Sequence, residues 1–254
     1  MHTPSRSRIV EHLVEGLKGK SQVEAVWLEG SDGTGHADEL SDIDIVIHVQ
    51  SGSEDEVLEY VEELLSELAS LDMSYEESSS DPHRRYKVFH LRDTPATLLL
   101  DVNVQSGREM AEFLEENDSE VPMILFDKHN LVQTSKVDWD EWNKRLRTRL
   151  YDLENTINQR ARVEKYITRN KLLEALGYYH KFILAPLIEI LRIRYKPINH
   201  DYYIVSISKH LPASVIKQLE ELHQVSTVED IQSHVDVAYR WFHEVLSDIK
   251  SSFS

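Results

Sequence analysis

The sequence predicts an α/β fold with a mixed sheet, followed by an all-α helical bundle. Up to about residue 136, short segments rich in β-branched residues alternate with amphipathic helical segments. Beyond that point strand patterns nearly vanish, and apolar residues recur at steps of three and four. We therefore predict two domains, residues 1–136 and residues 137–254.

The first domain is predicted to alternate helices with strands. Apolar residues at helical spacing predict helices at Ser7–Leu17 and Glu54–Leu71. A further short helix is predicted at Glu109–Glu116. Clusters of β-branched and aromatic residues predict strands at Val23–Leu28, Ile43–Val49, Tyr86–Leu91, Thr97–Val104 and, as the last strand, Met123–Phe126. The polar stretches 29–41 and 74–82 are predicted to be loops.

The second domain is predicted to contain only helices. Periodic apolar residues indicate helices over residues 146–157, 172–190, 212–222 and 231–249. Pro186 is expected to kink or divide the second of these, because proline lacks a backbone donor. Pro212 suits the first turn of the third.

Three acidic residues interrupt or border otherwise apolar strands. Asp42 and Asp44 are two residues apart at the start of Ile43–Val49, so their carboxylates project from one face. Asp101 follows three leucines in a second strand. A carboxylate among apolar residues is unfavourable unless it is paired or binds a metal. If the two strands are neighbours, the three carboxylates form an oxygen-rich site that suits Mg²⁺.

A glycine and a serine lie just after the first predicted strand. Gly30 lets a phosphate approach the backbone, and the hydroxyl of Ser31 can donate a hydrogen bond to it. The chain has neither a Walker loop nor a G-x-G-x-x-G motif. It has no G-x-S-x-G context for a serine nucleophile either.

Together these residues resemble the signature of the nucleotidyltransferase superfamily. Gly30 and Ser31 are followed, after ten residues, by Asp42-Ile43-Asp44, and Asp101 matches the third acid of that signature. The resemblance spans roughly residues 20 to 105. With a helical domain following, the layout is similar to antibiotic-modifying enzymes such as kanamycin and lincosamide nucleotidyltransferases.

The resemblance implies a role for each of these residues. Gly30 and Ser31 would hold a nucleoside triphosphate such as ATP, while Asp42, Asp44 and Asp101 would bind two Mg²⁺ ions and carry out catalysis. Residues 1–136 would then be the catalytic domain. The relatives can build their sites across a dimer, so a homodimer is an assembly that the resemblance allows.

The general base stays open at this point. Asp101 is one candidate for accepting the proton of the attacking hydroxyl. In some relatives a glutamate of the helical domain takes this role, and Glu164 and Glu174 are the candidates here.

The chain departs from the signature in one respect. Residues 32–40 contain no Lys or Arg, although relatives often carry a basic residue there. His36, Arg84 and Arg85 are candidates to supply positive charge to the phosphates.

Composition narrows the remaining classes of function. The chain has no cysteine, which excludes disulfides and thiolate metal sites. Its balance of 41% hydrophobic and 29% charged residues predicts a soluble protein, and we expect it in the cytoplasm. No run of about 18 apolar residues predicts a membrane span. The net charge of −17 disfavours a nucleic-acid partner.

These observations lead to one expected activity and two alternatives. We expect transfer of a nucleoside monophosphate to a hydroxyl of a small molecule, such as an aminoglycoside-like antibiotic, with release of pyrophosphate. One alternative is a nucleotidyltransferase of the toxin–antitoxin type, which modifies proteins. The other is a nucleotide-binding regulatory module without turnover. The sequence leaves the preferred nucleotide and the acceptor open.

Overall fold

A computed structural model of the protein describes residues 3–107 and 110–252. The chain forms two compact units, Met1–Val137 and Asp138–Ser254. Within the described ranges, no helix combines the length and the apolar character needed to cross a lipid bilayer. The assignment of catalysis to the first unit stays a prediction.

The first unit combines helices with strands. Its helices are α1 (Arg6–Lys18), the single turn α2 (Gly30–Gly33) and α3 (Glu54–Leu68). Its strands are β1 (Val23–Leu28), β2 (Ile43–Val49), β3 (Leu71–Glu76), β4 (Arg84–Leu91), β5 (Leu100–Gln105), β6 (Ala111–Leu114), β7 (Met123–Asp127) and β8 (Val132–Ser135).

Six of these strands form one mixed sheet in the order β3-β4-β5-β2-β1-β7. Strands β2 and β5 run parallel, and the other neighbours in this sheet are antiparallel. Strands β6 and β8 form a separate parallel pair. The sheet therefore has the mixed character that the sequence predicts, with β2 and β5 side by side at its centre.

The alternating pattern of β2 decides which face meets the helices. Ile43, Ile45 and Ile47 are fully buried in a cluster with apolar residues of α1 and α3. On the opposite face, Val46 packs with Trp27 in a smaller cluster that also contains residues of β6 and β8. Asp44 shares that second face, because side chains alternate along a strand. The acid thus lies on the side of the sheet away from α1 and α3.

Some predictions for this unit are wrong. The predicted helix Glu109–Glu116 is not formed over residues 111–114, which are strand β6, while Glu109 lies outside the described residues. Pairing with β8 and an edge contact between Phe113 and Trp27 favour the extended form there.

The other errors concern the end of a helix and strands of weak pattern. Residues 74–76 belong to β3 rather than to a loop, and α3 ends at Leu68 instead of Leu71. Strand β3 is a mostly exposed edge strand, so its sequence is polar. Strand β7 is not the last one, because the four-residue β8 follows it.

The second unit is helical in its described residues. It contains α4 (Trp139–Ile157), α5 (Ala161–Thr168), α6 (Leu172–Tyr179), a π-helical turn (His180–Leu184), α7 (Ala185–Tyr195), a 3₁₀ turn (Pro197–Asn199), α8 (Ile207–His210), α9 (Ala213–His223) and α10 (Val228–Ser252). Apolar residues of these helices share one buried cluster. Whether they form a bundle in the sense predicted stays a prediction.

Pro186 has the dividing effect that the sequence predicts. It lies at the start of α7, directly after the π-helical turn that separates α6 from α7. The backbone N–H of Ala185 donates to the carbonyl of His180, a wider spacing than in an α-helix. The long predicted helix is thus divided into α6 and α7 at a π turn, next to the proline that lacks a backbone donor.

Candidate active site

The turn after β1 is held in an unusual backbone conformation. Gly30 has φ +58°, which L side chains rarely adopt, and a methyl group there would overlap the Asp44 carboxylate. A methyl group at Gly33 would overlap the backbone carbonyl oxygen of Val121 even more closely. Two of the glycines are therefore required by the geometry, and Gly30 lies directly beside one of the predicted acids.

The structure brings the three predicted acids together. Asp44 and Asp101 are direct partners in the parallel register of β2 and β5. Asp42 precedes β2 by one residue. One carboxylate oxygen from each of the three acids lies within 4.8 Å of the others. The expected convergence is observed, while the roles of these residues stay predictions.

Burial and mutual repulsion perturb the charges of this cluster. Burial, followed by the charges of Asp42 and Asp101, raises the pKa of Asp44 to about 6. Burial also raises the pKa of Asp101, with a further contribution from Asp42. The site therefore carries more negative charge than its surroundings balance, which favours a bound cation.

Sequence reasoning missed a tyrosine that contacts the cluster. The hydroxyl of Tyr86 in β4 donates a hydrogen bond to Oδ1 of Asp101 at 2.5 Å. Burial, followed by this hydrogen bond, raises the pKa of Tyr86, so the group acts as a donor at neutral pH. The strand containing Tyr86 was predictable, but its pairing with β5 was not, because register depends on tertiary contacts.

An arginine at the start of α1 was missed as well. Arg6 donates from Nη1 to Asp32 Oδ1 at 2.6 Å, and its Nη2 donates to Asp32 Oδ2. The same Nη2 donates to the backbone carbonyl of Asp42 at 2.7 Å. The sequence gives no signal for this contact, since 26 residues separate Arg6 from Asp32.

The predicted sources of positive charge have other partners. His36 is exposed and bonds through Nδ1 with the carbonyl of Thr34 at 2.7 Å. Arg84 and Arg85 are engaged on the sheet surface, where Arg84 Nε donates to Asn103 at 3.1 Å and Arg85 Nε donates to Asp55 at 2.6 Å.

The candidate glutamates for a general base belong to the second unit. Glu164 lies in α5 and forms an ion pair with Arg160 at 3.5 Å, and Glu174 lies exposed in α6. Their role stays a prediction.

Comparison with known proteins adds one match. A sequence model of the family described as "Polymerase beta, Nucleotidyltransferase" matches residues 11–110. This segment contains β1, β2, β5 and all three acids. No curated protein matches the chain. The match over residues 11–110, together with the mixed sheet, supports a nucleotidyltransferase domain in this part of the chain.

Proposed function

We propose that the protein is a Mg²⁺-dependent nucleotidyltransferase that transfers a nucleoside monophosphate from a nucleoside triphosphate to a hydroxyl group of a small molecule. The observation that carries this proposal is the cluster of three carboxylate oxygens within 4.8 Å beside the Gly30–Gly33 turn. All three acids lie within residues 11–110, the segment that the nucleotidyltransferase family model matches.

The donor set fits a divalent metal. Asp42, Asp44 and Asp101 offer only carboxylate oxygens, the ligands that Mg²⁺ prefers. Burial, followed by the charges of Asp42 and Asp101, raises the pKa of Asp44, and a bound cation would stabilise its ionised form. When bound, Mg²⁺ would supply positive charge that stabilises phosphate oxygens during transfer.

The turn after β1 fits a phosphate group. The hydroxyl oxygen of Ser31 is buried and has no hydrogen-bond partner among the described residues. A buried polar atom without a partner is unfavourable, and a phosphate oxygen would accept its hydrogen bond. Gly30 has no side chain that would keep the phosphate from the backbone.

In this proposal Asp101 accepts the proton of the attacking hydroxyl. The hydroxyl oxygen forms a bond to the α-phosphorus, the bond from that phosphorus to the bridging oxygen breaks, and pyrophosphate leaves. Tyr86 bonds to Oδ1 of Asp101, which leaves Oδ2 to take part. The base is thereby oriented by a neighbouring strand.

The distribution of charge supports a cationic small molecule as the acceptor. Residues 1–137 carry 29 acidic and 11 basic residues, whereas residues 138–254 carry 16 acidic and 17 basic ones. The first unit therefore accounts for the negative charge of the whole chain. Such a field attracts amino-rich compounds and repels phosphate backbones. An aminoglycoside-like compound meets this requirement.

A screen for pyrophosphate release tests the proposal. The protein is incubated with Mg²⁺, each of the common nucleoside triphosphates and a panel of amino- and hydroxyl-rich small molecules. Asp44→Asn should abolish release without unfolding the protein, whereas Glu39→Gln, an exposed acid of the neighbouring loop, should leave it unchanged. Turnover retained in Asp44→Asn would remove Asp44 from the reaction.

Two further results would change the proposal. Absence of Mg²⁺-dependent binding of any nucleoside triphosphate in isothermal titration would contradict it. Label from a radioactive nucleoside triphosphate that appears on a protein, with none on small molecules, would make the acceptor a protein.

A further inference from the structure

The Arg6 side chain joins three segments that are distant in the sequence. It begins α1, pairs with Asp32 through two parallel hydrogen bonds, and donates to the backbone carbonyl of Asp42. Asp32 lies in the α2 turn, and Asp42 lies at the entrance to β2. One planar guanidinium therefore fixes the turn relative to the strand that carries Asp44.

The pair also balances a carboxylate at an unfavourable place. Asp32 follows Ser31 directly, and its side chain is only 9% exposed. Its charge contributes to the raised pKa of Asp44. Unpaired, this carboxylate would repel a phosphate group at Ser31 and would itself be strongly disfavoured by burial. Hydrogen bonding to Asp32 raises the pKa of Arg6, so the guanidinium stays charged.

Arg6 supplies positive charge near the turn that residues 32–40, which contain no Lys or Arg, do not provide. The positive charge beside the turn comes instead from the N-terminal end of α1. Arg6 lies outside the segment, residues 11–110, that the family model matches. Its partners Asp32 and Asp42 lie within that segment.

We propose that Arg6 is a positioning residue for nucleotide binding. It holds the Gly30–Gly33 turn in the shape that leaves the buried Ser31 hydroxyl without a hydrogen-bond partner in the protein, and it cancels the charge of Asp32. This inference rests on the proposed function, because it requires that the turn binds a nucleoside triphosphate.

Five variants test the inference: Arg6→Gln, Arg6→Lys, Asp32→Asn, the double variant of Arg6→Gln with Asp32→Asn, and the control Arg8→Gln. Arg8 lies on the same helix with a 52% exposed side chain. For each variant, isothermal titration measures binding of ATP, GTP, CTP and UTP with Mg²⁺. Steady-state pyrophosphate release gives kcat and KM, and a thermal melt reports folding.

Arg6→Gln should weaken binding of the nucleotide roughly 10- to 100-fold and raise KM similarly with little change in kcat, because it leaves Asp32 buried and unpaired. The double variant should recover affinity to within a few-fold of wild type, because it removes the uncompensated charge. Arg6→Lys should lie between, since lysine keeps the charge but not the paired geometry. Arg8→Gln should behave as wild type.

The outcomes separate the two proposals. Wild-type protein that binds none of the four nucleotides overturns the proposed function and this inference with it. If wild type binds a nucleotide and Arg6→Gln shows the same affinity and the same KM, this inference alone is overturned. A lower melting temperature without a change in KM would make Arg6 a purely structural residue and would also overturn it. If Arg6→Gln does not fold, the nucleotide affinities of Arg6→Lys and Asp32→Asn are compared with that of wild type. Affinity equal to wild type in both variants contradicts the inference.

Discussion

Replacing Asp44 by Asn is expected to make the metal-free protein more stable. Burial, followed by repulsion from Asp42 and Asp101, raises the pKa of Asp44 from 3.8 to about 6. A rise of this size corresponds to about 3 kcal/mol, which solvent screening of a half-buried group reduces to about 1–2 kcal/mol. Asparagine has a similar shape and cannot ionise, so the variant should gain this amount.

The gain depends on pH in a defined direction. Between pH 3.8 and about pH 6, Asp44 of the folded protein still holds the proton that it has lost in the unfolded chain. The folded state then binds more protons than the unfolded state, so wild-type stability falls as pH rises through this window. The difference between Asp44→Asn and wild type should therefore be small at the lower end of the window and complete above its upper end.

Urea unfolding in the presence of EDTA measures this difference. Addition of Mg²⁺ should reverse the order, because only the wild type would gain stability from binding the cation. Asp55→Asn is the matched control, since Asp55 has a 72% exposed side chain and should show no gain. An Asp44→Asn protein that is less stable than wild type in EDTA at neutral pH would refute the view that burial and the neighbouring carboxylates destabilise ionised Asp44.

Two further substitutions probe the geometry around the cluster. Gly30→Ala and Gly35→Ala both place a side chain at positive φ and should each lose about 1 kcal/mol of stability, but only at Gly30 would the added methyl group overlap Asp44. Mg²⁺ affinity measured by titration should therefore fall in Gly30→Ala alone, and equal affinities in both variants would contradict this reading. Tyr86→Phe removes the 2.5 Å hydrogen bond to Asp101 and should slow pyrophosphate release about tenfold, so unchanged turnover would show that Tyr86 does not orient the acid.

The sequence predicts most of the elements that have a strong pattern. The alternation of Ile43–Val49 correctly indicates a strand with apolar residues on one face and Asp44 on the other. Strand β3 and the pair β6 and β8 were missed because their residues are few, polar or exposed. Such strands form through pairing with a neighbour, and a local pattern does not report that pairing.

The candidate acids show the same division. Spacing in the sequence places Asp42 and Asp44 at one end of one strand, since side chains two residues apart share a face. The sequence also indicates that Asp101 needs a partner, because it interrupts an apolar strand. It does not determine that β5 lies parallel to β2 with Asp101 opposite Asp44, which is a matter of strand order and register.

The sequence alone thus determined the identity of the acids, the Gly30-Ser31 pair and the change from a mixed α/β segment to helices. The tertiary structure alone decided that Tyr86 bonds to Asp101 and that Arg6 balances Asp32. The physical reason is the distance along the sequence over which the interactions act. Local patterns follow from the periodicity of helices and strands, whereas charge balance in a buried site depends on side chains that come together only when the chain folds.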